Sequence, residues 1–239
     1  LSMDGGKSGL TLTKIDVDGD IVWQKGQISD PSNDWNLDVR YAIGVTPNGA
    51  SIYSGCESEE GAIFTKWNSS GVVQWTKKLG GGSGNDGVQH IMPVGTDDAP
   101  VLWLKELTGG VTTGKIMKMT SAGATTWQNY VNAGSSGNSA QQQSVQGTID
   151  SSGNVYQTVH GSASDMGGSG STRYSGIVKW DSDGDHQDTF VYQTSASGED
   201  ELMALTVDSS GNMYVVGKWQ ESGTTYYKST LMKLNSSGV

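Results

Sequence analysis

Two acidic pentads carry the chemistry most easily read in this sequence. Asp16, Asp18 and Asp20 in DVDGD, and Asp181, Asp183 and Asp185 in DSDGD, place carboxylates at alternate positions. A calcium loop uses such spacing to bring several oxygens onto one ion. Neither pentad continues to a bidentate Glu at loop distance, and the equivalent turns elsewhere read NSSG and TSAG. Asp and Asn also favour these turns because their side chains bond the local backbone. Turn chemistry is therefore the expectation and calcium the alternative. His90, His160 and His186 are scattered, with no HxH or HExxH spacing to suggest a zinc site. Cys56 is the single cysteine, so these residues hold no internal disulfide or thiolate cluster. It is expected to follow a strand as a packed or edge residue, not to act as a nucleophile. Glu199, Asp200 and Glu201 are adjacent, whereas glycosidase carboxylates must face each other across a substrate. The GxG strings lie in linkers, and no GxSxG joins a strand to a helix. No catalytic residue and no cofactor is expected.

The elements that would position such residues repeat. Gly61 to Trp75 reads GAIFTKWNSSGVVQW: Ile63 and Thr65 alternate with Phe64 and Lys66, a turn follows at Asn68 to Gly71, and Val72, Val73 and Trp75 return. The period of two and the glycine-containing turn predict a β-hairpin. The phrase recurs at Leu12–Trp23, Ile116–Trp127, Ile177–Asp188 and Leu231–Val239. Lys14, Lys66, Lys118, Lys179 and Lys233 each stand five residues before the turn glycines Gly19, Gly71, Gly123, Gly184 and Gly238, whose steps are 52, 52, 61 and 54 residues. Trp23, Trp75 and Trp127 follow four residues after their glycine; Asp188 holds that place in the fourth copy, with Phe190 as a possible substitute. The Trp is expected to cover the seam between sheets, not to stack on a sugar.

A second hairpin alternates with the first: VDSSGNMYVVG at Val207–Gly217, IDSSGNVYQTV at Ile149–Val159, a looser VTPNGASIYSG at Val45–Gly55, and a degraded VGTDDAPVLWL at Val94–Leu104 that has lost its glycine. Two hairpins per period give four short antiparallel strands, the blade of an all-β propeller. The strands are labelled A to D outward from the axis. The expected organisation is one propeller region over residues 1–239: a partial blade at 9–26, blade 1 at 40–79, blade 2 at 88–131, blade 3 at 144–193 and an incomplete blade 4 at 203–239. The chain opens on a C–D pair and stops after A, B and C. That phase predicts a piece of a larger ring.

There are 35 Gly, 8 Trp, 9 Tyr and 2 Phe, as suits small cores wedged by large rings between repeating sheets. No run approaches the length of a membrane-spanning helix, so no membrane insertion is expected. A formal charge of −10 argues against nucleic acid. The A–B and C–D turns are tight and lie on one propeller face; the D–A and B–C connections are long and lie on the other. Variable loops on a rigid scaffold are where binding residues gather. The exposed candidates there are Trp35, Asp86, Arg173, Tyr174, Asp200, Trp219 and Tyr226, with solvated connectors as the alternative.

In KWNSSGVVQW followed by LGGGSGND, and in VDSSGNMYVVG, the chain resembles the bacterial β-propeller repeat called the SBBP repeat. It is also similar to repeat segments of bacteriophage structural proteins. The likeness covers nearly all of residues 9–239, is weaker in the A–B hairpin of blade 2, and lacks the GG…D linker and D-strand Trp in blade 3. It implies an extracellular or virion-surface scaffold and transfers no catalytic residue. The implied function is a non-enzymatic structural or adhesive module of a fibre, tail or capsid decoration. Its partners would be other structural chains of the same assembly and a surface glycan. The alternatives are a secreted propeller enzyme acting on glycans and a bacterial cell-surface adhesin.

Overall fold

The computed structural model describes residues 9–28, 41–58, 61–80, 86–92, 97–108, 111–131, 146–162, 173–192, 201–220 and 226–239. These contain strands and turns and no helix. β1 (Gly9–Ile15) and β2 (Ile21–Ile28) form an isolated C–D pair. Blade 1 is β3 (Tyr41–Val45), β4 (Ser51–Ser58), β5 (Ala62–Asn68) and β6 (Val73–Leu79). Blade 2 is β7 (Asp86–Ile91), β8 (Val101–Thr108), β9 (Val111–Met119) and β10 (Thr125–Val131). Blade 3 is β11 (Gly147–Ile149), β12 (Val155–Ser162), β13 (Arg173–Trp180) and β14 (His186–Tyr192). β15 (Glu201–Val207), β16 (Met213–Gln220) and β17 (Tyr227–Leu234) supply A, B and C of blade 4. Each sheet is an antiparallel meander. The described residues have the all-β architecture of a propeller built from antiparallel blades.

The C–D hairpins close on one turn chemistry. Asn68 Oδ1 accepts the N–H groups of Ser70 and Val72 at 3.0 and 2.9 Å, while Gly71 takes φ +72° and donates to the Asn68 carbonyl. The register slips between Lys66 and Trp67, where the turn needs its bulge. The degraded A–B turn of blade 2 meets the same demand differently. Asp98 itself adopts φ +55°, a left-handed conformation that Asp tolerates better than most residues.

Four apolar clusters fill the spaces between blades. Leu12 packs with Ile52 and Trp67, and Phe64 with Val88, Leu102, Met117 and Met119. Ile116 packs with Val178 and Trp180, and Ile177 with Met213, Val215 and Leu234. In each cluster the residue two before one blade's repeat lysine meets the residue just after the next blade's lysine. Period-2 alternation around the lysine thus sends one side chain forward and the other backward.

The D-strand aromatics fasten these seams at their outer edge. Trp23 Nε1 donates to the Ser69 carbonyl at 3.2 Å, Trp75 to Ser121 at 3.1 Å, and Trp127 to Ser182 at 3.0 Å. Each acceptor lies in the C–D turn of the following blade. The ring then covers that turn's glycine: a Cβ on Gly71 would sit 3.1 Å from Trp23, and one on Gly184 2.6 Å from Trp127. In blade 3, Phe190 takes over the ring's place above Gly238, and the Tyr192 hydroxyl donates to the Gly238 carbonyl at 2.8 Å.

Gly19 and Gly184 separate the two demands on these glycines, because their φ values are +91° and +90° but nothing stands within 4 Å of a Cβ on Gly19. Gly19→Ala should cost only the backbone strain, about 1–2 kcal/mol. Gly184→Ala adds overpacking against the indole and should cost about 2–4 kcal/mol in total. Urea unfolding of both variants checks this, and equal losses would contradict the fastening role of Trp127.

Candidate functional site

The tight-turn face carries a repeated polar unit. The repeat lysine of strand C lies opposite a tyrosine of strand B: Lys66 with Tyr53, Lys179 with Tyr156 and Lys233 with Tyr214. Each ammonium stands 5.4–5.5 Å from the ring centroid, within cation–π range. In blades 3 and 4 the tyrosine hydroxyl donates to the aspartate opening the A–B turn, Tyr156 to Asp150 at 3.2 Å and Tyr214 to Asp208 at 3.3 Å. The bonds from Asn212 lead the effects that hold the Asp208 carboxyl below its ordinary range. Burial, followed by Asp150, pushes the Tyr156 phenol up to about 12.

Blade 1 has Thr46 at that turn position and one more residue in the turn, since Thr46 pairs with Ser51 where Asp150 pairs with Asn154. Its carboxylate comes from the next blade. Asp98 accepts from Tyr53 at 2.8 Å, from Ser51 at 3.0 Å and from Lys66 at 2.6 Å. Lys66 also donates to the Ser121 carbonyl that receives Trp75. Tyr53 stacks on Phe64 at 5.6 Å, and Phe64 meets Trp75 at 5.4 Å. Burial opposes ionisation of Asp98, yet the bonds from Lys66, Tyr53 and Ser51 outweigh it and keep its pKa lowered. Nothing in the VGTDDAP phrase signalled this role, because its partners lie in another blade.

The acidic pentads are occupied by their own turns. Asp16 Oδ1 accepts from the N–H groups of Asp18 and Asp20, and Asp181 Oδ1 from Asp183 and Asp185, at 2.9–3.0 Å. Uncharged Asn68 and Asn235 make the same pair of bonds. Asp181 Oδ2 accepts from Gln187. Among the described residues no three His, Cys, Asp or Glu side chains are grouped to hold a metal ion.

The long-loop candidates divide. Trp35 and Asp200 lie outside the described residues, and Arg173 and Tyr174 are described only as backbone of β13. Asp86, expected exposed, is fully buried. β7 starts two residues earlier than blade 2 was expected to, and its first residues pair with the end of β4 (Ser58 with Asp86, Glu57 with Gly87). The carboxylate is folded against Gly80, leaving no room there for a Cβ. Trp219, also expected exposed, is half-buried because the Lys228 ammonium lies 5.3 Å over its ring. Tyr226 is 73% exposed. Nearby, Lys218 stands 4.7 Å from the Tyr227 centroid and 3.1 Å from Glu201. Two further ion pairs occupy this end of the blades, Glu57 with Lys105 and Glu106 with Lys115, both at 2.8 Å.

Neither His90 nor Cys56 is presented for catalysis. His90 Nε2 bonds the Gly147 carbonyl at 3.1 Å, so that nitrogen carries the proton, and burial lowers the ring's pKa. Cys56 lies within β4, not after it, facing Ile63 and Tyr41 across the sheet. Strand B runs three residues further than its turn pattern suggested. Burial pushes the thiol up to about 11, against a smaller opposing effect of its backbone bond with Ile63.

Two outcomes follow. Asp98→Asn should destabilise the protein by about 1–3 kcal/mol near neutral pH. The native pKa of Asp98 lies below its unfolded value, so its stabilisation is complete above about pH 4 and lost as pH falls through the native value. The gap between wild type and variant should therefore close in acid, read by urea unfolding across pH. Cys56 should resist a thiol reagent at pH 8 and react at once in denaturant; rapid labelling of the native protein would contradict its burial.

No family model matches the chain, and no curated protein matches it in sequence. Solved structures share its shape in part. A nidogen/laminin complex aligns with 93% of this chain and 74% of its own, at TM-score 0.47 and 12% identity. An endo-arabinase from Bacteroides thetaiotaomicron aligns with 87% and 80%, at 0.46 and 11%. TolB from Acinetobacter baumannii aligns with 99% of this chain and 48% of its own, at 0.47 and 14%. Superpositions this partial and identities this low say nothing about activity or ligand. The propeller reading stands on the sheets and seams themselves.

Proposed function

We propose that this chain is a non-enzymatic structural and adhesive module of an exterior assembly, a component of a phage virion such as a fibre, tail or capsid decoration. It would bind a surface glycan or a neighbouring structural chain through its long-loop face. The observation that carries the reading is the division of labour between residues. The repeated Lys, Tyr, Trp, Asp and turn Gly are used in contacts within the blades and at the seams between them, which leaves recognition to positions that differ between blades. On the described part of the long-loop face those positions bring Tyr227 close to Lys218 and Trp219 close to Lys228, with the exposed Tyr226 next to Tyr227 in the chain. Aromatic rings beside ammonium groups suit a sugar carrying carboxylates, since the ring covers its apolar face and the cation meets its charge. The placement on a particle surface rests on the resemblance of the repeat.

An array of immobilised bacterial surface polysaccharides, neutral and acidic, tests this. Binding to an acidic polysaccharide is expected, and Trp219→Ala together with Tyr226→Ala should weaken it at least tenfold with the fold unchanged by circular dichroism. Retention of full affinity in that variant would move the site elsewhere. Shortening of the bound polysaccharide would overturn the non-enzymatic reading.

A further inference from the structure

Each seam joins one forward-facing and one backward-facing position of strand C. The forward position holds Leu12, Phe64, Ile116 and Ile177, all buried, and then Leu231, which is 74% exposed. The backward position holds Trp67, Met119, Trp180 and Leu234, all buried, whereas Ile15 is 57% exposed. The two members meet in all four clusters: Leu12 with Trp67, Phe64 with Met119, Ile116 with Trp180, and Ile177 with Leu234. Among the described residues, Leu231 and Ile15 are thus the unmatched halves of the same contact.

The surroundings of each repeat the pattern. Beside Leu231 a groove of about 470 Å³ is lined by Met203 and Val216, both exposed. At the other end Ile43 and Val45 of β3 are exposed, although their counterparts in β15, Leu205 and Val207, pack against blade 3. Gly19 likewise has no ring above it, unlike the other four C–D glycines.

We propose that these two surfaces form a seam between molecules, the forward face of one copy taking the backward face of a second, head to tail. The occupant is a second copy because this chain carries both halves of a contact it already makes four times within itself. The contact is heterologous, so its repetition closes a ring or extends a filament. The inference rests on the seams alone and is independent of ligand binding by the long-loop face.

Sedimentation equilibrium of the whole chain tests it, with Leu231→Glu and Ile15→Glu. Both side chains are exposed in the single molecule, so thermal unfolding of each variant at low concentration should match the wild type. The wild-type mass should rise with concentration. Each variant alone should stay monomeric, since every seam needs one intact Leu231 and one intact Ile15. An equimolar mixture should form dimers and nothing larger, because one intact seam remains. A monomeric wild type, a monomeric mixture, or loss of association in only one variant would overturn the proposal.

Discussion

The contact on which the rest of this structure depends is an aromatic ring laid over a glycine in the next blade. An isolated four-stranded sheet of this size has two open faces and little core, so its stability must come from its neighbours. The D-strand indole meets that need in three ways. Its ring covers the outer edge of the seam, its N–H satisfies a turn carbonyl, and its bulk requires that the turn present no side chain. The glycine is held from both directions, by its positive φ and by the ring above it. Where blade 3 lacks the tryptophan, Phe190 and Tyr192 divide the work, the first supplying the ring and the second the donor.

Inside that outer fastening, the polar units settle how the inner strands are held. A lysine over a tyrosine, with an aspartate on the hydroxyl, joins three polar groups without leaving a charge alone. Blades 3 and 4 draw the aspartate from their own A–B turn. Blade 1 draws it from blade 2, so the unit becomes an interblade tie and Asp98 links turn geometry to seam strength. Asp98 thus does two things at once: it takes the left-handed φ that its glycine-less turn demands, and it delivers a carboxylate across the seam.

The two faces of the blades diverge for the same reason. Tight turns must pack against the preceding blade's aromatic, which restricts them to small residues and hydrogen-bonding caps. At the opposite end of the strands the described charged and aromatic residues differ from blade to blade: Glu57 with Lys105, Glu106 with Lys115, and Lys218 with Glu201 and Tyr227.

Much of this was legible in the chain because it is local. The Lys-x-x-x-x-Gly-x-x-x-Trp spacing predicted hairpin, bulge and blade, since alternation and turn chemistry depend only on neighbouring residues. Asp16 and Asp181 read as turn residues for the same reason, and they cap their turns. Asp86 and Trp219 were misjudged because exposure is decided by tertiary neighbours: Gly80 against the Asp86 carboxylate, and Lys228 over the Trp219 ring. The role of Asp98 was invisible, as its partners lie 32 to 47 residues away in a different sheet. What the sequence by itself determined was the blade, a unit whose hydrogen bonds close within some fifty residues. The tertiary structure alone decided which carboxylate serves which seam, which loop residues are covered, and that Leu231 and Ile15 stand unmatched, because packing between sheets joins residues that no local spacing relates.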